Sequence, residues 1–248
     1  MYIKTQGIVL KQISFKDSDK ILTLFCRENG KINAIAKGAK KTKSPFIGIT
    51  QVFCYSEFVL YKGRNFYHIN QGEVLNSFYS LREDLYKLAY GSYILETVEY
   101  GITEGESNEK IFLLVLKTLK TLSLMERDFL KLLLAFQLKF MSFIGYKPEL
   151  KICVICNNSE SDKIKFNIAG GGVVCSKCKH LGVGGEKIDK SIISAIDALL
   201  YAKLDNLHSI VIPDHILKDV QTIITKYTLN HLDRKTFKSL DFIKAIPK

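Results

Sequence analysis

No apolar run in this chain is long enough to cross a bilayer. The longest, Ile111 to Leu116, stops far short of the roughly 20 residues a spanning helix needs. The first residues, Met1-Tyr-Ile-Lys-Thr-Gln-Gly7, hold no apolar stretch followed by small residues, so a secretory signal is not expected. Nucleotide chemistry is poorly provided for as well. No G-x-x-x-x-G-K-[ST] loop is present to cradle a triphosphate. The Lys-Gly pairs, Lys37-Gly38 and Lys62-Gly63, lack the K-x-D-G context of nucleotidyl-transferring ligases. Carboxylates scatter, as in Glu104-Gly-Glu106 or Glu96 and Glu99, and do not converge as a two-metal nuclease requires. The histidines (His68, His180, His208, His215 and His231) never pair as H-x-x-x-H. Internal repeats and low-complexity tracts are missing too. These absences argue against an enzyme, a membrane protein and a small-molecule substrate.

What is plentiful is positive charge. The 248 residues carry a formal net charge of +11, with 47% hydrophobic residues and 11% aromatic residues, enough to bury a real core. Residues 1–80 hold twelve Lys and Arg against five Asp and Glu, so +7 of the +11 lies there. Such an excess points to a polyanion, either nucleic acid or an anionic membrane face, with a merely solvated basic surface as the plain alternative.

Cysteine is used sparingly and in a pattern. Cys153-Val-Ile-Cys156 and Cys175-Ser-Lys-Cys178 form two C-x-x-C pairs with eighteen residues between them, the spacing of two knuckles around one tetrahedral Zn²⁺. Four thiolates complete the coordination, so such a zinc is structural. Two disulfides or a redox dithiol are the competing readings, and His180 is a competing ligand. Cys26 and Cys54 stand singly in strand-like stretches, as small buried hydrophobes. This usage suits a reducing cytoplasm.

The first 75 residues read as strands. Gly7–Ser14, Lys20–Cys26, Lys31–Ala36, about 51–61 and about 67–75 are β-branched or alternating, and Asn29-Gly30 signals a hairpin whose turn residues tolerate positive φ. Five short strands suggest a small closed barrel. Beyond residue 80 the period becomes helical. Ser80-Leu-Arg-Glu83 reads as a capping box opening a helix to Gly101. Further helices are expected over about 108–124, 128–143, 190–202 and 213–231, the last with Pro213 in its first turn. The fold class expected is α+β and multidomain. A five-stranded barrel at 1–79 is followed by an α-helical bundle at 80–248, with a four-cysteine zinc finger embedded at about 150–182.

The loop Ala36-Lys-Gly-Ala-Lys-Lys-Thr-Lys-Ser44 places four lysines within seven residues. Lysine supplies mobile point charges for phosphates, and nothing in the loop reads base edges, so contact without sequence choice is expected. The DNA-binding candidates are Lys11, Arg27, Lys31, Lys37, Lys40, Lys41, Lys43 and Arg64, with Phe15, Tyr55, Phe66 and Tyr67 as candidate stacking rings.

Three stretches together resemble the bacterial RecO family of recombination mediators and DNA-repair proteins. They are Gly7-Ile-Val-Leu10 with Lys37–Ser44, then Gly145-Tyr-Lys-Pro-Glu-Leu150 leading into the cysteine pairs, and the tail from Tyr227 through His231-Leu-Asp-Arg234 to Phe242. The resemblance implies an OB barrel and a helical domain with a zinc finger. It implies binding of single- and double-stranded DNA, annealing of complementary strands, and engagement of the acidic carboxy-terminal tail of SSB. With RecR, such a protein helps load RecA on SSB-coated DNA. Some family members lack the four cysteines, so the metal is scaffold. This chain departs in favouring lysine over arginine in its basic loop. A tail-binding pocket needs an apolar surface edged by cations, and Phe129, Phe136 and Phe140 with Arg127, Lys131 and Lys139 are candidates. The competing functions are an OB-plus-knuckle protein acting on RNA or in transcription, and a nuclease or ligase-associated fragment.

Overall fold

The strand pattern of the first third closes on itself. In the computed structural model, which describes residues 1–182 and 184–246, β1 (Tyr2–Phe15), β2 (Asp19–Cys26), β3 (Gly30–Ala36), β4 (Tyr55–Lys62) and β5 (Tyr67–Asn76) form a closed barrel of order β1-β2-β3-β5-β4. β3 meets β5 in parallel at Ala34–Tyr67 and Ile35–His68; the remaining pairings are antiparallel. Alternate residues point inward, as the two-residue period of a strand demands. Val9, Leu22, Leu24, Ile32, Ala34, Phe58 and Leu60 fill the interior, and Ala39 and Ile49 from the β3–β4 connection close it.

The hairpin between β2 and β3 differs from the two-residue turn expected at Asn29-Gly30. Cys26 pairs with Gly30, so three residues turn the chain, and of Asn29 and Gly30 only Gly30 has positive φ (65°). The left-handed residue is therefore the glycine that opens β3, just past those three. A side chain at Gly30 would also strike the backbone of Glu106, which runs beside β3 through the Lys31–Glu104 bridge.

The capping box expected at Ser80–Glu83 does not form. The short α1 (Ser80–Glu83) ends at Asp84, whose extended backbone lets its carboxylate accept the Lys87 N–H at 2.8 Å and cap α2 (Leu85–Gly101). Ser80 Oγ donates to the Ser123 carbonyl instead. α3 (Glu109–Leu124) lays Phe112 against Phe25 and Tyr55 of the barrel, with ring centroids 5.5 and 6.1 Å apart.

α4 (Phe129–Phe143) is buried on nearly every side, from Leu132 to Phe136 and at Leu138, Phe140 and Met141, while Phe143 at the end of the expected stripe is exposed. β6 (Lys163–Asn167), β7 (Gly172–Cys175) and β8 (Glu186–Lys187) form a small sheet of order β7-β6-β8. α5 (Lys190–Tyr201) and α6 (Asp214–His231) pack on α4, and Pro213 stands at the cap position of α6 rather than within its first turn. α7 (Lys238–Ala245), absent from the sequence-based expectation, returns to α2. There the Glu96 carboxylate accepts the N–H groups of Lys238 and Ser239 at 3.1 and 2.9 Å.

Two compact units result. One comprises Met1–Leu124 with the described residues from Lys238 onward, and the other Met125–Phe237. Spatial compactness therefore groups α1–α3 and α7 with the barrel, whereas the sequence-based division places them in the helical domain. Among the described residues no helix is long and apolar enough to cross a membrane.

Candidate nucleic-acid interface and metal centre

Strand register gathers cations at one end of the barrel. Lys20 at the start of β2 faces Ala36 at the end of β3, Ala34 faces Tyr67 at the start of β5, and Tyr67 faces Lys62 at the end of β4. The lysine loop leaves β3 here and is tied down by two bonds from the β1–β2 turn. Gly38 N–H donates to Asp19 Oδ1 at 2.8 Å, and Lys40 N–H donates to the Ser18 carbonyl at 2.9 Å. Successive turns close with Lys41 N–H to the Gly38 carbonyl and Ser44 N–H to the Lys41 carbonyl. Lys37, Lys40, Lys41 and Lys43 are all exposed, as is Arg64 in the β4–β5 loop. Lys16, Lys20 and Lys62 join them, three cations that sequence reasoning did not single out. The hairpin register that unites them was the signal available. Lys20, half-buried and donating to Gln12 Oε1 at 2.7 Å, is pushed below the usual lysine range first by burial and then by its neighbour Lys40.

The other three candidates are engaged elsewhere. Lys11 donates to Glu99 Oε1 at 3.0 Å, which raises its pKa; Arg27 pairs with Glu109; and Lys31 donates to the Glu99 carbonyl. Burial lowers the Lys31 pKa. These three fasten the barrel to α2 and α3, so the structure does not bring them together with the loop cations. Of the candidate rings, Tyr55 is held by Phe112 and by its hydroxyl bond to Gln6 Oε1 at 2.7 Å, and Tyr67 packs on the barrel core. Phe15 lies beneath Lys16, and Phe66 is half-buried.

The apolar pocket edged by cations expected on the fourth helix is not what α4 presents. Phe136 and Phe140 are each 0% exposed, stacked at 5.6 Å inside the unit. Lys139 donates to the Leu200 carbonyl at 2.6 Å, with burial lowering its pKa, and Lys131 pairs with Asp128 at 3.1 Å. Only Arg127 is exposed. Aromatic periodicity here encodes packing.

Between α4 and α5 the four cysteines converge. Their sulfurs all lie within 4.8 Å of one another, with Cys156–Cys175 at 3.6 Å and Cys153–Cys178 at 3.9 Å, two pairs that each cross from one knuckle to the other. The β6–β7 hairpin brings Cys175 up beside the first knuckle, where Val154 N–H meets the Val173 carbonyl at 3.0 Å. A side chain at Gly172 would collide with the Glu149 carbonyl at 2.6 Å, so glycine permits that approach. Cys153, Cys175 and Cys178 are buried and Cys156 is exposed. Burial works to raise the Cys153 pKa, but N–H groups of Cys156, Cys175 and Ile155 hold it down to about 6. Cys178 is pushed up to about 12, first through its hydrogen bond with Cys156. Four sulfurs this close cannot all ionise unaided, and a cation among them removes the conflict. The set could hold one metal ion.

The comparisons with known proteins agree along the chain. The family model described as Recombination protein O N terminal matches residues 1–78, and that described as Recombination protein O C terminal matches 82–241. The chain belongs to the RecO family. It is 37% identical over 246 residues to DNA repair protein RecO of Alkaliphilus metalliredigens, covering 99% of this chain and 100% of that protein. The protein of the same name from Acetivibrio thermocellus is 34% identical over 247 residues, covering 100% and 98%. That from Thermoanaerobacter sp. is 35% identical over 244 residues, 98% of each. RecO membership implies a role in DNA repair and recombination. The RecO amino-terminal match spans the barrel, and the carboxy-terminal match contains all four cysteines.

Proposed function

We propose that this chain is a non-catalytic mediator of DNA recombination and repair. It binds single- and double-stranded DNA through the basic end of its barrel, anneals complementary strands, and with RecR promotes RecA loading on SSB-coated strands, engaging the SSB tail. The observation that carries this reading is the exposed set Lys37, Lys40, Lys41, Lys43 and Arg64, gathered at one end of an OB-like barrel in a RecO-family chain. OB barrels bind oligonucleotides along the β2–β3 face and the β1–β2 and β4–β5 loops. Arg64 stands in the β4–β5 loop, and the lysines of the β3–β4 connection are bonded to Ser18 and Asp19 where β1 turns into β2. Annealing makes and breaks no covalent bond. It requires two polyanions to approach against their repulsion, and exposed lysines lower that barrier by neutralising phosphates and releasing counterions.

The metal is proposed to be one structural Zn²⁺ held by Cys153, Cys156, Cys175 and Cys178. A tetrahedron with Zn–S arms of about 2.3 Å has edges of about 3.8 Å, close to the 3.6 and 3.9 Å separations here. The ion would neutralise thiolates and join the two knuckles, leaving no position open for a substrate. The protein is proposed to work in the bacterial cytoplasm, at the nucleoid.

The experiment is strand annealing with SSB-coated complementary oligonucleotides, with and without RecR. Wild-type protein should accelerate pairing, and the quadruple reversal of Lys37, Lys40, Lys41 and Lys43 to Glu should not. Pairing that proceeds at the protein-free rate with wild-type protein would refute the reading.

A further inference from the structure

Two tyrosines that no reading of the sequence singled out stand together on the outside of the barrel. Tyr2 opens β1 and lies opposite Tyr61 near the end of β4. Their ring centroids are 5.4 Å apart with planes inclined at 57°, and the residues are 62% and 44% exposed. Single exposed rings are ordinary on protein surfaces, but here two meet at the edge of a cationic end. Tyr61 is followed directly by exposed Lys62 and, two residues on, by exposed Arg64. Tyr61 also faces His68 across the ladder, one register step from the Lys62–Tyr67 pair, and His68 itself pairs with Ile35 at the β3–β5 junction beside the lysine loop.

We infer that Tyr2 and Tyr61 form a base-stacking platform that captures unpaired DNA bases next to the phosphate-binding cations. The inference rests on the proposed function and deepens it by separating single-stranded from duplex binding. The occupant follows from the chemistry. A polyanion is drawn by Lys62, Arg64 and the lysine loop, and a ring face can be covered only by a base that is not already paired and stacked within a duplex. Loop cations make no such distinction, because phosphates are common to both forms.

The chain contains no tryptophan and twelve tyrosines, so tyrosine emission can be followed directly. The test is full-length protein titrated with a dT oligonucleotide, an abasic strand of equal length, and a blunt duplex. Wild-type protein should favour dT over the abasic strand. Y2A/Y61A should lose about tenfold or more on dT, with the abasic strand and the duplex unchanged. Y2F/Y61F should keep its dT affinity while losing part of the quenching that dT causes. Equal loss on all three ligands, or no loss on any, overturns the platform. Unchanged duplex binding shows that the Ala variant is folded. If the quadruple lysine reversal leaves all three affinities intact, the proposed function fails. If that reversal abolishes binding but the tyrosine variants do not discriminate, only the platform fails.

Discussion

Asp19 holds the lysine loop: its carboxylate accepts the Gly38 N–H at 2.8 Å, fixing an anion beside a segment whose proposed work requires cations. The two effects oppose one another. Electrostatics alone predicts that removing the charge strengthens DNA binding, whereas positioning predicts that removing the acceptor weakens it. We expect positioning to win, because Gly38 sits at φ 67° and the turns that follow depend on it. Asp19→Ala should bind duplex DNA several-fold more weakly despite its extra positive charge, and lose about 1–2 kcal/mol of stability. Tighter binding in an anisotropy titration would show the loop to be indifferent to its anchor.

The cations divide into an exposed loop set, proposed to face DNA, and a set paired with α2 and α3, and substitution should tell them apart. Reversal of Lys37, Lys40, Lys41 and Lys43 to Glu should abolish DNA binding with the melting temperature nearly unchanged, since all four are exposed. With about six phosphates neutralised, the wild-type slope of log K against log salt is expected to be on the order of −5. Changing Lys11, Arg27 and Lys31 to Gln should do the reverse. Each is bonded to a group on α2 or α3, so the melting temperature should fall while the salt slope stays close to wild type. A steep loss of slope in this triple variant would return those three residues to the interface.

Much of this was legible in the sequence, for identifiable reasons. Alternation exposes a barrel strand wherever one face is buried, so β2 and β3 emerged nearly at their true bounds. The first five residues of β1 did not, because Tyr2, Lys4 and Gln6 mix polar and aromatic character on the outer face. The cysteine spacing carried the convergence of the four sulfurs outright, since two C-x-x-C pairs at that interval are spaced to close around one point. What sequence could not convey was which partner a charge would choose. Lys11 and Lys31 look like any basic residue until Glu99 is placed beside them, more than sixty residues along the chain. Phe136 and Phe140 failed as a groove for a related reason, since one helical period serves an open surface and a closed core equally. Tyr61 was hidden by phase: only the register shows that Phe58 and Leu60 point inward and Tyr61 out.

His231 should make the second unit sensitive to acid. Its ring is wedged between Tyr146 and Tyr227 at 4.5 and 4.4 Å, with Nε2 3.1 Å from the Ile168 carbonyl. Burial lowers its pKa below the ordinary value of 6.5. A base with a depressed folded-state pKa takes up its proton more readily when unfolded. Stability from this group is therefore complete above pH 6.5 and is lost as pH falls below that value. Denaturation by urea between pH 7 and pH 5 should show this decline, and His231→Phe, which keeps a ring without a titrating nitrogen, should flatten it. An identical slope in both proteins would assign the acid sensitivity to other groups.

Removing one sulfur should unfasten the cysteine module and spare the barrel. Cys153 is 0% exposed, and its backbone is already committed, with its N–H to the Asn158 carbonyl at 3.0 Å and its carbonyl accepting from Asn157 at 2.9 Å. Cys153→Ser leaves those bonds in place and removes a ligand. Structural Zn²⁺ contributes roughly 10–16 kcal/mol of apparent binding energy in small peptides, so loss of the site should lower the first melting transition. The barrel's interior is closed by residues of its own such as Phe58 and Ile49 and contains none of the four cysteines. Duplex DNA affinity, proposed to lie in the lysine loop, should therefore persist below that transition. Native mass spectrometry should find one zinc per wild-type chain and none in the variant. A wild-type chain that binds no zinc, or a variant that melts like wild type, would leave the four thiols without the role assigned to them.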